Sequence, residues 1–167
     1  MAIKQKGFSL IELLIVVAII LIIAAIAIPN LLRSKMAANE SSAVGSIRSI
    51  NTAEVAYATN FPTIGYSALL TSLGGVAATC ATGAGSTTTS ACLVDDVVAK
   101  SGTVAKSGYL NTYGNVVAAG GINVTYTING DPANRGTSGQ RSFFSDQSGV
   151  IRANNNAAAT IANNPLQ

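Results

Sequence analysis

From Phe8 to Ile28 the chain reads FSLIELLIVVAIILIIAAIAI, 21 residues in which Glu12 is the only ionisable side chain. As a helix rising 1.5 Å per residue this run spans about 31 Å, the hydrocarbon thickness of a bilayer. It must therefore lie in lipid or against other apolar surface, and any fold has to be built around that requirement. The flanks do not orient it, because Lys4 and Lys6 precede the run and Arg33 and Lys35 follow it. The chain is 49% hydrophobic and only 10% charged, so beyond the run its surface must be made mainly of Ser, Thr, Asn and Gly. Such a surface suits packing against copies of itself. The net charge of +3 includes Lys4 and Lys6, and no strong electrostatic partner follows from it.

Two conventional readings of the run compete. A basic start, an apolar core and the small-residue triplet Ala25-Ile26-Ala27 imitate a secretory signal peptide, but the run exceeds the roughly 7 to 15 residues such a core needs, and Glu12 charges it. A plain membrane anchor would tolerate Glu12 near the headgroups. Locally, Ser9-Leu10-Ile11-Glu12 has capping-box spacing, in which Ser9 and Glu12 satisfy free amides at a helix start, and an acid in the first turn suits the helix dipole. That explains the position of Glu12 and not its cost, which is roughly 2.5 to 3.5 kcal/mol at the centre of a membrane helix and less near the interface.

The stretch Lys6-Gly7-Phe8-Ser9-Leu10-Ile11-Glu12-Leu13-Leu14, followed by the apolar run and Pro29, resembles the processing motif of type IV pilins and the related type II secretion pseudopilins. The resemblance implies cleavage after Gly7 by a prepilin peptidase that also methylates the new amino terminus, Phe8. Residues 1–7 would be a cytoplasmic leader, 8–29 a transmembrane helix that becomes the filament core, 30–61 its amphipathic half, and 62–167 a globular head. It implies a homo-oligomeric helical filament, an inner-membrane assembly platform, and membrane lipid as surroundings before assembly. The head would be periplasmic at first, then part of an extracellular pilus serving adhesion, motility or DNA uptake, or of a periplasmic pseudopilus. It also implies a partner for Glu12, the Phe8 nitrogen of a neighbouring subunit. An ammonium and a carboxylate attract strongly in low dielectric and are penalised when left alone there, so the pair would set register. Phe8 and Glu12 are four apart, so spacing equally permits a contact within one helix.

Beyond the run, Met36, Ala43, Ile47, Ile50, Tyr57 and Phe61 fall on one face of a helix. Glu54 shares that face, and nothing in the sequence names its partner. Pro29 lies within the joined helix as a break or kink point, and Phe61-Pro62 ends it. Tyr66–Leu73 reads as a short helical or coiled connector closed by Gly74-Gly75, and Leu93–Lys100 as another helical turn or two. Four short antiparallel strands are predicted at Ser107–Tyr113, Ile122–Ile128, Arg141–Ser145 and Val150–Ala153. In Ile122–Ile128 the residues Ile122, Val124, Tyr126 and Ile128 alternate with polar ones and would face the helix. The expected class is α+β, a long helix packed on a small antiparallel sheet, as in the family. FFSDQSGVIR resembles the sheet-end hairpin of pilin and major-pseudopilin relatives.

Chemistry is sparse. The chain has no histidine and two cysteines, which removes most nucleophile and metal arrangements; no enzyme, cofactor or metal is expected. Cys80 and Cys92 bound a low-complexity stretch, ATCATGAGSTTTSAC, too poor in large apolar groups to form core. Joined, they would close a loop of about 13 residues for roughly 3 kcal/mol. Extracytoplasmic placement favours that disulfide over two free thiols. Asp95, Asp96, Asp131 and Asp146 are the acids on which a calcium site like that of some pseudopilins would draw, but they lack regular ligand spacing. Gly83-Ala84-Gly85 is a flexible loop, lacking the strand and later glycine of a phosphate loop. Asn39-Glu40-Ser41 and Asn123-Val124-Thr125 match the short N-glycosylation pattern. Lys100, Lys106, Arg135, Arg141 and Arg152 give the second half a mild basic bias without aromatic interleaving, so nucleic acid is the least favoured partner. Tyr57, Phe61 and Phe8 read as packing rings, with electron conduction a lesser reading. The rival of another class is a binding module tethered by residues 1–29.

Overall fold

A computed structural model describes residues 7–75, 80, 86–100 and 102–166, with the side chain of Asn115 excepted. The leader before Gly7, Gly83-Ala84-Gly85 and part of the low-complexity stretch lie outside the described residues. Elements follow in the order α1 (Leu10–Asn60), α2 (Leu70–Leu73), α3 (Asp96–Ala99), β1 (Tyr109–Ala119), β2 (Ile122–Pro132), β3 (Ser142–Asp146) and β4 (Arg152–Asn154). The chain divides into two compact units, the first ending at Lys35 and the second starting at Met36.

In the first unit α1 starts with the expected cap. The Ser9 amide donates to Glu12 Oε2 at 3.0 Å, and the Leu13 amide to the Ser9 carbonyl at 3.2 Å. Every large apolar side chain from Phe8 to Leu32 is at least 46% exposed, which is the unmet requirement read from the sequence. Among the described residues α1 is the one helix long and apolar enough to cross a membrane. It is helical through Pro29, whose missing N–H leaves one carbonyl of the preceding turn without its usual donor.

In the second unit the helix carries many Ser and Thr residues, and the hydroxyls of Ser41, Ser46, Ser49, Thr52 and Thr59 are satisfied within it by donating to the carbonyl four residues earlier. Ala43, Ile47, Ile50 and Tyr57 are buried, and Phe61 packs at the edge of the same cluster. The predicted face is therefore the buried face from Ala43 onward, joined by Val44 and Ala53, whereas Met36 is only half-buried and lies outside the core cluster. Against it pack Leu70, Leu73, Val98, Tyr109, Ile128, Phe143 and Ile151. The helix ends at Asn60, and the turn after it is closed at Gly65, which has a positive φ of 78° and whose amide donates to the Phe61 carbonyl at 3.0 Å.

The sheet is an antiparallel meander, β1-β2-β3-β4. Gly120 and Gly121 form its first turn, both at positive φ (62° and 85°), as a two-residue hairpin of the twist-matched kind requires. All four predicted strands are present, and β1 and β2 run longer than predicted, each 11 residues. One expectation is corrected. Tyr126 and Ile128 face the core, but Ile122 and Val124, on the same side of β2, are 38% and 44% exposed, because the hairpin outruns the core. Phe143 is fully buried, and the turn after β3 is held by Asp146, whose Oδ1 accepts from the amide and hydroxyl of Ser148. The C-terminal segment is tied back to β4, with the Leu166 amide donating to the Ile151 carbonyl at 2.7 Å.

Cys80 and Cys92 are joined, with Cα atoms 5.7 Å apart. A strap, residues 91–93, runs beside α2, where the amides of Ala91 and Leu93 donate to the carbonyls of Ser72 and Leu73. The Tyr57 hydroxyl reaches over from α1 to the Thr88 carbonyl at 2.6 Å.

Candidate processing and assembly site

Gly7 and Phe8 precede the first turn of α1 in non-helical backbone, and both are exposed, Phe8 by 81%. A Cβ at Gly7 would meet no atom within 4 Å. The bond between them is thus exposed to solvent. One turn later Glu12 holds the Ser9 amide through Oε2, and no second donor to it is found among the described residues. Cutting before Phe8 would place an ammonium beside that occupied amide, four residues from a carboxylate with acceptor capacity to spare.

The chain has three glutamates, all on α1, and their surroundings set their chemistry. Glu40, 7% exposed, accepts through Oε1 from the amides of Gln140 (2.9 Å) and Arg141 (3.1 Å) and through Oε2 from Arg141 Nε (2.7 Å). Burial alone would push its carboxyl up, but the Gln140 amide and Arg141 together hold it below the ordinary range. Glu54 is fully buried. Oε2 accepts from the Ser67 amide at 2.9 Å, and Oε1 from the hydroxyls of Ser67 (2.5 Å) and Tyr113 (2.7 Å). Burial pushes this carboxyl up, and the Ser67 and Tyr113 donors offset it only in part. The same burial, with Glu54 close by, pushes the Tyr113 and Tyr126 phenols up as well.

The partner of Glu54 that the sequence withheld is therefore the connector and β1. Glu40 and Arg141 went unread as a pair. Their signal was available on one side, since Glu40, Ile47 and Glu54 are each seven apart and share a helix face; the distant partner left none.

The remaining candidates are dispersed. Asp95 caps α3 by accepting from the Val98 amide, Asp96 pairs with Lys100 at 2.7 Å, and Asp146 serves its own turn. No group of three or more His, Cys, Asp or Glu residues comes together among the described residues. The five later basic residues all hold protein partners: Lys106 donates to Ser46 Oγ, Arg135 to Ser142 Oγ and the Gln140 carbonyl, and Arg152 to the Asn163 carbonyl, beside the Lys100 and Arg141 pairs. Both glycosylation-pattern amides are likewise engaged, Asn39 Nδ2 with the Ser138 carbonyl and Asn123 Nδ2 with the Tyr66 carbonyl. Tyr57 and Phe61 pack with centroids 4.8 Å apart, and Tyr126 contacts Tyr66 (4.9 Å) and Tyr113 (6.0 Å).

Residues 3–28 match the family described as the prokaryotic N-terminal methylation motif. The chain is 44% identical over 54 residues to the type IV major pilin protein PilA of Myxococcus xanthus, and 60% identical over 38 residues to the type IV wide pilus major component PilA4 of Thermus thermophilus. These matches cover 32% and 23% of this chain, which spans 24% and 29% of the length of those relatives. No solved structure matches the chain significantly. The chain thus carries the prokaryotic N-terminal methylation motif at the start of a helix that goes on to pack on a four-stranded antiparallel sheet, a pilin-like arrangement, and over a short stretch it is similar to type IV major pilins.

Proposed function

We propose that this chain is a structural, non-enzymatic subunit of an extracytoplasmic type IV pilus filament, cut after Gly7 by a prepilin peptidase, methylated on Phe8 and assembled through the amino-terminal part of α1. The observation that carries this reading is the coincidence of the methylation motif with a helical stretch whose large apolar side chains, from Phe8 to Leu32, are all exposed in the single chain. Lipid covers them before assembly and sister helices afterwards; each large apolar side chain taken fully from water is worth roughly 1.5 to 3 kcal/mol, so none of this surface is left wet.

Exchange of lipid for sister helices has no such apolar gradient behind it, and there the Phe8 ammonium and Glu12 select the register. Residues 8–29 act as transmembrane and then core helix, 30–61 as the half that carries the head, and 62–167 as the head. The globular part is periplasmic before export. A pseudopilin of type II secretion shares all these parts, including the 143–152 hairpin; both named relatives are pilus components, which favours the pilus.

The test is co-expression with a prepilin peptidase and intact-mass spectrometry of the product. A chain beginning at N-methylated Phe8 is expected. An intact Met1, or a cut after Ala27, would overturn the reading. Fibres on the cell surface, seen by electron microscopy, separate pilus from pseudopilus.

A further inference from the structure

We propose that Glu54, Ser67 and Tyr113 form a proton-binding site, in which the carboxylate takes up one proton while the head remains folded. The argument is one of donors and acceptors. With Glu54 ionised, three donors converge on it: the Ser67 amide on Oε2, and the Ser67 and Tyr113 hydroxyls on Oε1. Each hydroxyl also has a second acceptor in reach. Ser67 Oγ lies 3.2 Å from the Leu69 carbonyl, and the Tyr113 oxygen 2.9 Å from the Ser67 carbonyl.

A proton arriving on Oε1 can therefore donate to the Tyr113 oxygen. The Tyr113 hydrogen turns to the Ser67 carbonyl, and the Ser67 hydrogen to the Leu69 carbonyl. One proton is gained, no covalent bond of the protein breaks, and the Ser67 amide keeps its bond to Oε2. Both states give every donor of the cluster an acceptor with the heavy atoms where they stand, so protonation strands no buried hydrogen.

The surroundings favour uptake. The ionisable groups around Glu54 are Tyr57 on its own helix, Tyr113 on β1 and Tyr126 on β2, with Tyr66 of the connector and Asp146 of β3 bearing on Tyr126. All are neutral or anionic. Among the described residues no Lys or Arg pairs with Glu54; the ion pairs there are Lys100 with Asp96 and Arg141 with Glu40. With burial dominant and no cation to oppose it, the carboxyl titrates above its ordinary value of 4.5. Glu54, Ser67 and Tyr113 tie α1, the connector and β1 together in either state, so the site absorbs a proton without releasing the connector.

Three glutamates make the experiment tractable. The full chain, unassembled in detergent micelles and labelled with carboxyl-¹³C glutamate, is titrated by NMR while near-ultraviolet dichroism of the tyrosines reports the fold. The carboxyl whose resonance is missing from Glu54→Gln should titrate above the ordinary carboxylate range and above Glu40, with the tyrosine signal unchanged. Ser67→Ala removes a donor from the ionised form and leaves the protonated form its partners, so it should move that midpoint upward; this variant decides the matter if Glu54→Gln fails to fold. Uptake that coincides with loss of the tyrosine signal, an ordinary midpoint, or a midpoint unmoved in Ser67→Ala would overturn the proposal. Because the chain is unassembled, failure of the filament reading leaves the result standing.

Discussion

Glu40, in the middle of α1, and Arg141, just before β3, meet as an ion pair at 2.7 Å although 101 residues separate them in the chain. The contact fastens the helix to the sheet at a point where the Gln140 and Arg141 amides also depend on the carboxylate. Glu40→Gln should destabilise the head by about 1 to 2 kcal/mol, the worth of hydrogen bonds to a charged group, discounted because the Arg141 side chain is 42% exposed.

The pH dependence of that contribution has a definite sign. The Glu40 carboxyl is held below its ordinary 4.5 in the folded state, so its stabilisation is fully present above 4.5 and is lost as the pH falls through the folded value. Glu54 is raised instead, so its contribution is fully present below the unfolded value and is lost as the pH rises through the folded one. Urea midpoints of the full chain in detergent should show Glu40→Gln losing part of the acid-induced destabilisation and Glu54→Gln losing an acid-induced gain. Parallel profiles for the two variants would contradict the opposed surroundings.

Gly65→Ala should cost about 2 kcal/mol or more. Its φ of 78° disfavours a side chain, and an added Cβ would strike the Asn123 carbonyl oxygen and lie 2.7 Å from Ile122 Cγ2. Gly45→Ala, in α1 with nothing within 4 Å of the new methyl, should stabilise by about 0.5 to 1 kcal/mol. Thermal unfolding of the pair should therefore move in opposite directions.

Replacing both Cys80 and Cys92 by Ser should lower stability by about 3 kcal/mol. The loss should be local at first, exposing the amides of Ala91 and Leu93 to hydrogen exchange, since the disulfide holds the strap that lies against α2. Reduction of the wild-type chain should reproduce it.

Glu12→Ala should leave membrane insertion and cleavage before Phe8 intact and abolish normal filament growth, read by mass spectrometry of the processed chain and electron microscopy of cells. The cut bond and the apolar run are untouched by the change, whereas the partner offered to the Phe8 ammonium is removed. Normal filaments from this variant would eliminate the register role.

Much of the fold was legible because its signals are local. The face Ala43, Ile47, Ile50 and Tyr57 is a matter of period, the Gly120-Gly121 turn a matter of backbone freedom, and the Ser9 and Glu12 cap a matter of three-residue spacing. The apolar run from Phe8 to Ile28 and its single carboxylate were read from hydropathy alone, and they carry the functional reading. Only tertiary structure decided where the two buried carboxylates find their donors. Glu54 sat on a readable apolar face, yet the Ser67 and Tyr113 hydroxyls that satisfy it come from a connector 13 residues away and a strand 59 away. Glu40 needed Arg141 from beyond two strands. A helical period fixes which way a side chain points; which polar group waits there depends on how a meander of strands is laid across it, and no spacing in the chain encodes that meeting.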